Sequence, residues 1–160
     1  MDQNRITRVT EMEVRLNRVK AWLKTGAGDV AEDVRILDDY YHGAVWRSDL
    51  EADEAGELPA DLPRGVLSED GIYDVLEEYR ERVKELSFEN AAAAIPPGRY
   101  RHFKGNEYEV IGIARHSEDE SPMVVYRALY GDGGLWVRPA AMWNEEITRD
   151  GTTCKRFTKV

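Results

Sequence analysis

Apolar positions in the first half of the chain recur every three or four residues. Ile6, Val9, Leu16, Val19 and Leu23, with Met12 alongside and Glu13 in the same stripe, line one face of a predicted helix. Gly26 and Gly28 stop it, and Asp29 is placed to cap a second helix with Val30, Val34, Leu37 and Tyr41 as its buried face. A third starts near Ser68, whose hydroxyl can accept from free backbone N–H groups, while Glu69 and Asp70 suit the positive end of the helix dipole. Ile72, Val75, Leu76, Tyr79, Val83 and Leu86 form its stripe. Three such stripes predict a three-helix bundle. Residues 40–65 read as a long connection pinned to it by Trp46, Leu58 and Leu62.

The period changes to two after Ala91–Gly98, where Pro96 and Pro97 cannot extend a helix. Strands are predicted at 99–103, 107–116, 123–130, 135–138 and 155–157, with one helical turn at 139–142. Asp132-Gly133 predicts a tight hairpin, since both central residues of a primed turn need positive φ. The expected fold class is therefore α+β: a helical domain over residues 1–90, then a small, strongly bent antiparallel barrel over 98–160.

Register then selects the faces. Pairing Gly131 with Gly134 sets Arg127 opposite Arg138 and Leu129 opposite Trp136. Pairing His116 with Met123 sets Gly112 opposite Arg127. One face then holds Ile111, Ile113, Val124, Tyr126, Ala128, Tyr130, Leu135 and Val137, the expected core. The other holds Tyr108, Val110, Gly112, His116, Arg127, Leu129, Trp136 and Arg138. Opposed arginines repel, and they persist more easily with an anion between them. Gly112 leaves room beside Arg127, and Trp136 offers a flat wall beside two guanidinium forks suited to carboxylate or phosphate. The candidate ligand-binding set is thus Arg127, Arg138 and Trp136, with Gly112 as the floor and Tyr108 and His116 at the rim. The competing reading is that Glu109, Glu145 or Glu146 neutralises the arginines and Trp136 covers the barrel end.

Charge separates the halves independently. Residues 1–90 carry 12 Lys+Arg against 22 Asp+Glu, whereas residues 91–160 carry 10 against 9. The overall net charge of −9 argues against nucleic-acid binding, and the acidic half suits a basic protein partner. No run approaches the roughly 20 apolar residues of a membrane span, and no signal peptide is visible, so the expected compartment is the cytoplasm.

Other chemistry is thinly represented. A single cysteine, Cys154, excludes an intrachain disulfide and has no nearby histidine in sequence. His42, His102 and His116 show no metal-ligand spacing. The acidic run Asp49–Gly56 departs from a calcium loop, with Glu54 where glycine belongs and Ala60 where the closing glutamate belongs. No phosphate-cradling glycine motif appears, and no metal or cofactor is expected.

Gly98-Arg-Tyr-Arg-His-Phe-Lys-Gly105, Tyr108-Glu-Val110, Ala114-Arg-His-Ser-Glu118, Val125-Tyr-Arg-Ala-Leu-Tyr-Gly131 and Leu135-Trp-Val-Arg-Pro139 with Met142 resemble the bacterial domain of unknown function 1653. Trp143 stands where members often carry phenylalanine. The resemblance implies an SH3-like barrel. The first half is similar to another bacterial family, domain of unknown function 4298, through Arg5-Ile-Thr-Arg8, Asp39-Tyr-Tyr41, Trp46-Arg47, Asp49, Glu51-Ala-Asp-Glu-Ala-Gly56, Leu58-Pro-Ala-Asp-Leu62 and Arg64-Gly-Val-Leu-Ser-Glu-Asp70. Neither resemblance implies a catalytic residue.

The expected function is a non-enzymatic binding or adaptor protein whose barrel holds an anionic small molecule, a peptide carboxylate or a modified side chain. The alternatives are a small hydrolytic enzyme with His116 as base, and a nucleic-acid-binding module using the near-neutral barrel.

Overall fold

The computed structural model describes residues 2–149 and 151–160. The chain is α+β, with helices first and antiparallel strands after them. It divides into two compact units, residues 1–82 and 83–160.

The first unit contains α1 (Gln3–Thr25), α2 (Ala31–Tyr41), α3 (Ala44–Glu54) and the start of α4 (Glu69–Ala94). Local chemistry sets the ends. Asp2 accepts from the Asn4 and Arg5 amides at the start of α1, and Gly26, at φ 66°, returns its N–H to the Trp22 carbonyl. The N-cap of α2 is Val30, without a side-chain cap bond, although Asp29, the residue expected to cap it, accepts from the Ala31 amide at 3.0 Å; Ser68 Oγ accepts from the Gly71 amide at 3.1 Å. Val9, Leu16, Val19, Leu37, Ile72 and Leu76 make the core, as the apolar stripes predict, and Val66, which lies outside those stripes, joins them.

The predicted three-helix arrangement is corrected by α3, which occupies part of the segment read as a connection. Its buried face is Trp46, Asp49 and Ala52. A carboxylate and a methyl group at two of three inward positions disguise the helix as a charged loop. Trp46 and Leu58 are buried and Leu62 packs partly buried against the same core, so the three expected pins do anchor the segment.

Asp49 is fully buried. It accepts from Arg5 Nε at 3.1 Å, Arg8 Nε at 2.8 Å, Arg8 Nη2 at 2.6 Å and the Tyr40 hydroxyl at 2.8 Å. Burial alone would raise its pKa. The Arg8 and Tyr40 hydrogen bonds, with the Arg8 charge and the Arg5 bond, outweigh that and hold it below the usual carboxylate value.

In the second unit, β1 (Gly98–His102), β2 (Glu107–Arg115), β3 (Pro122–Ala128), β4 (Leu135–Pro139) and β7 (Phe157–Lys159) form an antiparallel sheet in the order β4-β3-β2-β1-β7. β5 (Glu146–Arg149) and β6 (Thr152–Lys155) pair separately, and α5 (Ala140–Trp143) supplies the expected helical turn. The sheet is not closed: β4 and β7 are its edges. Ala91 and Ile95 join Tyr100, Val110, Val124, Tyr126, Ala140, Trp143 and Phe157 in its core. Among the described residues no helix is long and apolar enough to cross a membrane.

Two register findings overturn the expected faces. Arg127 pairs with Leu135 and Val124 with Arg138, three residues out of the expected alignment. The connection is a wider loop than a two-residue turn: the Ala128 amide donates to Gly134 O, the Gly133 amide to Tyr130 O, and positive φ falls at Gly131 and Gly133. An odd shift exchanges faces. Leu135 and Val137 therefore leave the core and stand 58% and 62% exposed. In β2 a bulge between Val110 and Gly112 turns Val110 into the core and leaves Ile111 exposed.

Candidate functional site

Alternation along β3 sends Val124, Tyr126 and Ala128 to the concave face. Their register partners on that face are Arg138 and Trp136 of β4, and Ile113, Val110 and Tyr108 of β2. The sheet bends far enough to bring Phe157, from one edge strand, to Arg138 on the other: the guanidinium carbon lies 5.9 Å from the ring centroid. On the same Phe157 ring, Trp143 stacks in parallel with centroids 3.8 Å apart. His102 meets it edge-on at 4.8 Å and Tyr108 at 5.7 Å. Tyr126 meets Trp143 at 5.0 Å.

Arg138 sits half-buried over the Phe157 ring, and its Nε is buried with no hydrogen-bond partner. No described carboxylate pairs with it. Glu145, one of the acids expected to neutralise it, is engaged by Arg156 Nη2 at 2.6 Å. The buried Nε1 of Trp143 is likewise without a partner. Such orphan donors are uncommon in a packed interior and call for an explanation.

Burial holds the His102 pKa below 6.5, and the Arg156, Lys104 and Arg138 charges lower it further. Burial, followed by the 2.7 Å hydroxyl contact with Tyr130, pushes the Tyr108 phenol up to about 12. A guanidinium fork beside an aromatic ring, with a donor that no protein group engages, suits a planar anion held through charge-assisted hydrogen bonds.

Of the residues singled out in the sequence, Arg138, Trp136 and Tyr108 share this face. Trp136 is 60% exposed, and its indole nitrogen lies 3.2 Å from where a Cβ on Gly134 would stand. Arg127 faces the opposite side, where its Nη1 donates to Gly133 O at 3.1 Å, so the expected pairing of two arginines does not form. Gly112 lies on Arg127's side, across from Val125, with open space where a side chain would project. His116 stands beyond the end of β2, exposed, with Nδ1 3.1 Å from Asp119. Phe157, Trp143 and His102 were not foreseen as a cluster. Their convergence follows from sheet curvature, which no single strand's pattern encodes.

The family model described as a domain of unknown function, DUF4298, matches residues 8–87, half of the chain. The chain belongs to the DUF4298 family. Within this member, residues 98–159 also match the model described as a protein of unknown function, DUF1653. Both resemblances read from the sequence are borne out. A solved structure of a protein from the DUF1653 family, from Bordetella bronchiseptica, is 35% identical, covering 43% of this chain and 91% of that one with a TM-score of 0.40. No curated protein matches.

Proposed function

We propose that this DUF4298 member is a non-enzymatic binding or adaptor protein whose second unit receives an anion at Arg138. The ligand class is a planar anionic small molecule, a peptide carboxylate or a modified side chain. One observation carries the reading: Arg138 is half-buried against Phe157 with its Nε unbonded and no described carboxylate beside it. A buried donor without a partner costs about 1–3 kcal/mol, and an anion relieves that cost where the ring packing opens to admit it to the Nε. Trp136 and Tyr108 wall the same face. Arg127, Gly112 and His116 are left out of the revised site. We read residues 98–160 as an SH3-like barrel, residues 1–90 as a helical domain whose acidic surface suits a basic partner, and the cytoplasm as the compartment.

The test is thermal unfolding with benzoate, inorganic phosphate and a short peptide bearing a free C-terminal carboxylate. At a hundredfold excess over Kd the wild type gains about 2.7 kcal/mol. Arg138→Ala is expected to keep the fold and lose the gain. An equal gain in Arg138→Ala, or no gain in the wild type with any of the three, overturns the proposal.

A further inference from the structure

The hydrogen-bond phase of β4 shows which of its backbone groups are unused. The Ala128 amide donates to Gly134 O, so Ala128 and Gly134 form a bonded pair, as do Tyr126 with Trp136 and Val124 with Arg138 two and four residues along. The intervening residues, Leu135 and Val137, therefore turn their N–H and C=O groups away from β3. β4 is an edge strand, and among the described residues no backbone bond takes those groups. Pro139, which has no N–H, ends the open stretch.

Edges left open in this way are commonly blunted by charge, bulges or covering segments. This one instead presents Leu135 at 58%, Trp136 at 60% and Val137 at 62% exposure, a consecutive apolar run on both faces of the strand. Arg138 follows it, without a described carboxylate partner.

We propose that β4 takes an extended acidic peptide of another protein as an added antiparallel strand. This rests on the reading of Arg138 as an anion receptor and names the source of the anion. The incoming backbone bonds the N–H and C=O of Leu135 and Val137. Positions facing Trp136 and Arg138 are then non-hydrogen-bonded pairs, whose side chains approach more closely. Complementarity calls for an acid opposite Arg138 and apolar residues opposite Val137, Trp136 and Leu135. In antiparallel order the recognised segment reads acid, apolar, apolar, apolar.

The experiment is amide hydrogen exchange of the full chain with Ser-Glu-Val-Leu-Val-Ser and with its Glu→Lys counterpart. Protection of the Leu135 and Val137 amides by tenfold or more with the glutamate peptide alone supports the proposal. So does loss of Leu135 protection in Val137→Pro, a variant in which the anion response at Arg138 is retained. Equal protection by both peptides overturns the assigned charge. No protection by either overturns the strand addition, and benzoate stabilisation measured on the same sample shows whether the anion site survives without it. Protection that rises with protein concentration in the absence of peptide makes a second copy the occupant and also overturns the proposal.

Discussion

Replacing Arg138 by methionine should leave the ligand-free protein as stable as the wild type, or slightly more so. Methionine keeps an apolar stem against Phe157 and removes the buried Nε, which has no hydrogen-bond partner. Relieving that donor returns about 1–3 kcal/mol. Losing the guanidinium–ring contact costs about 0.5–2 kcal/mol, the upper part of that range applying to desolvated pairs. The balance centres near 0.5–1 kcal/mol in favour of the variant. Because the chain forms two compact units, a global melt can merge two transitions. The suitable assay is exchange of the Val124 and Tyr126 amides, which reports opening of the sheet itself; both residues lie in its core. Exchange up to about fivefold slower corresponds to the expected gain. A destabilisation above about 2 kcal/mol would mean that Arg138 is a satisfied structural cation, whose removal typically costs about 3–5 kcal/mol, and not an unsatisfied one.

Three further outcomes follow from the geometry. Because folding holds the His102 pKa below 6.5, its neutral form supports the fold fully above that pH, and the contribution is lost as pH falls through 6.5 and onward to the folded value; NMR titration should give a midpoint below 6.5 that moves upward when benzoate is added. Asp49→Asn should destabilise the helical unit by about 3–5 kcal/mol in urea unfolding, because Arg5 and Arg8 lose their buried counter-charge. The folded Asp49 pKa is depressed, so its wild-type contribution stands above pH 3.8 and declines as acidification passes below that value. Gly134→Ala should shift the Trp136 emission spectrum, since the new Cβ would come within 3.2 Å of the indole nitrogen and move the ring.

Much of the architecture was legible because apolar spacing reports burial directly. The stripes of α1 and α2, and that of α4 as far as Tyr79, match residues that the structure buries or half-buries, whereas Val83 of the α4 stripe is exposed; the alternation of Val124, Tyr126 and Ala128 identifies the concave face. Legibility failed where pattern and chemistry diverge. The inward face of α3 carries Asp49, a charge whose burial depends on Arg5 and Arg8 from α1, more than forty residues away in sequence. Two glycines with positive φ widened the β3–β4 loop, and the resulting odd shift carried Leu135 and Val137 out of the core. Exposed apolar residues at an edge look the same in sequence as buried ones. Arg138, Trp136 and Tyr108 were identified from mistaken pairings, yet they share the face on which the unpartnered guanidinium lies. Arg127, expected beside them, is on the other side.

The most direct test of the central claim is the ¹H–¹⁵N signal of the Arg138 side-chain Nε–H during titration with benzoate. Anion binding at Arg138 gives a saturable downfield shift and slowed solvent exchange at that group, with little change at the Nε–H of Arg127. A signal that does not move at saturating benzoate, or one that moves no more than Arg127's, would contradict it.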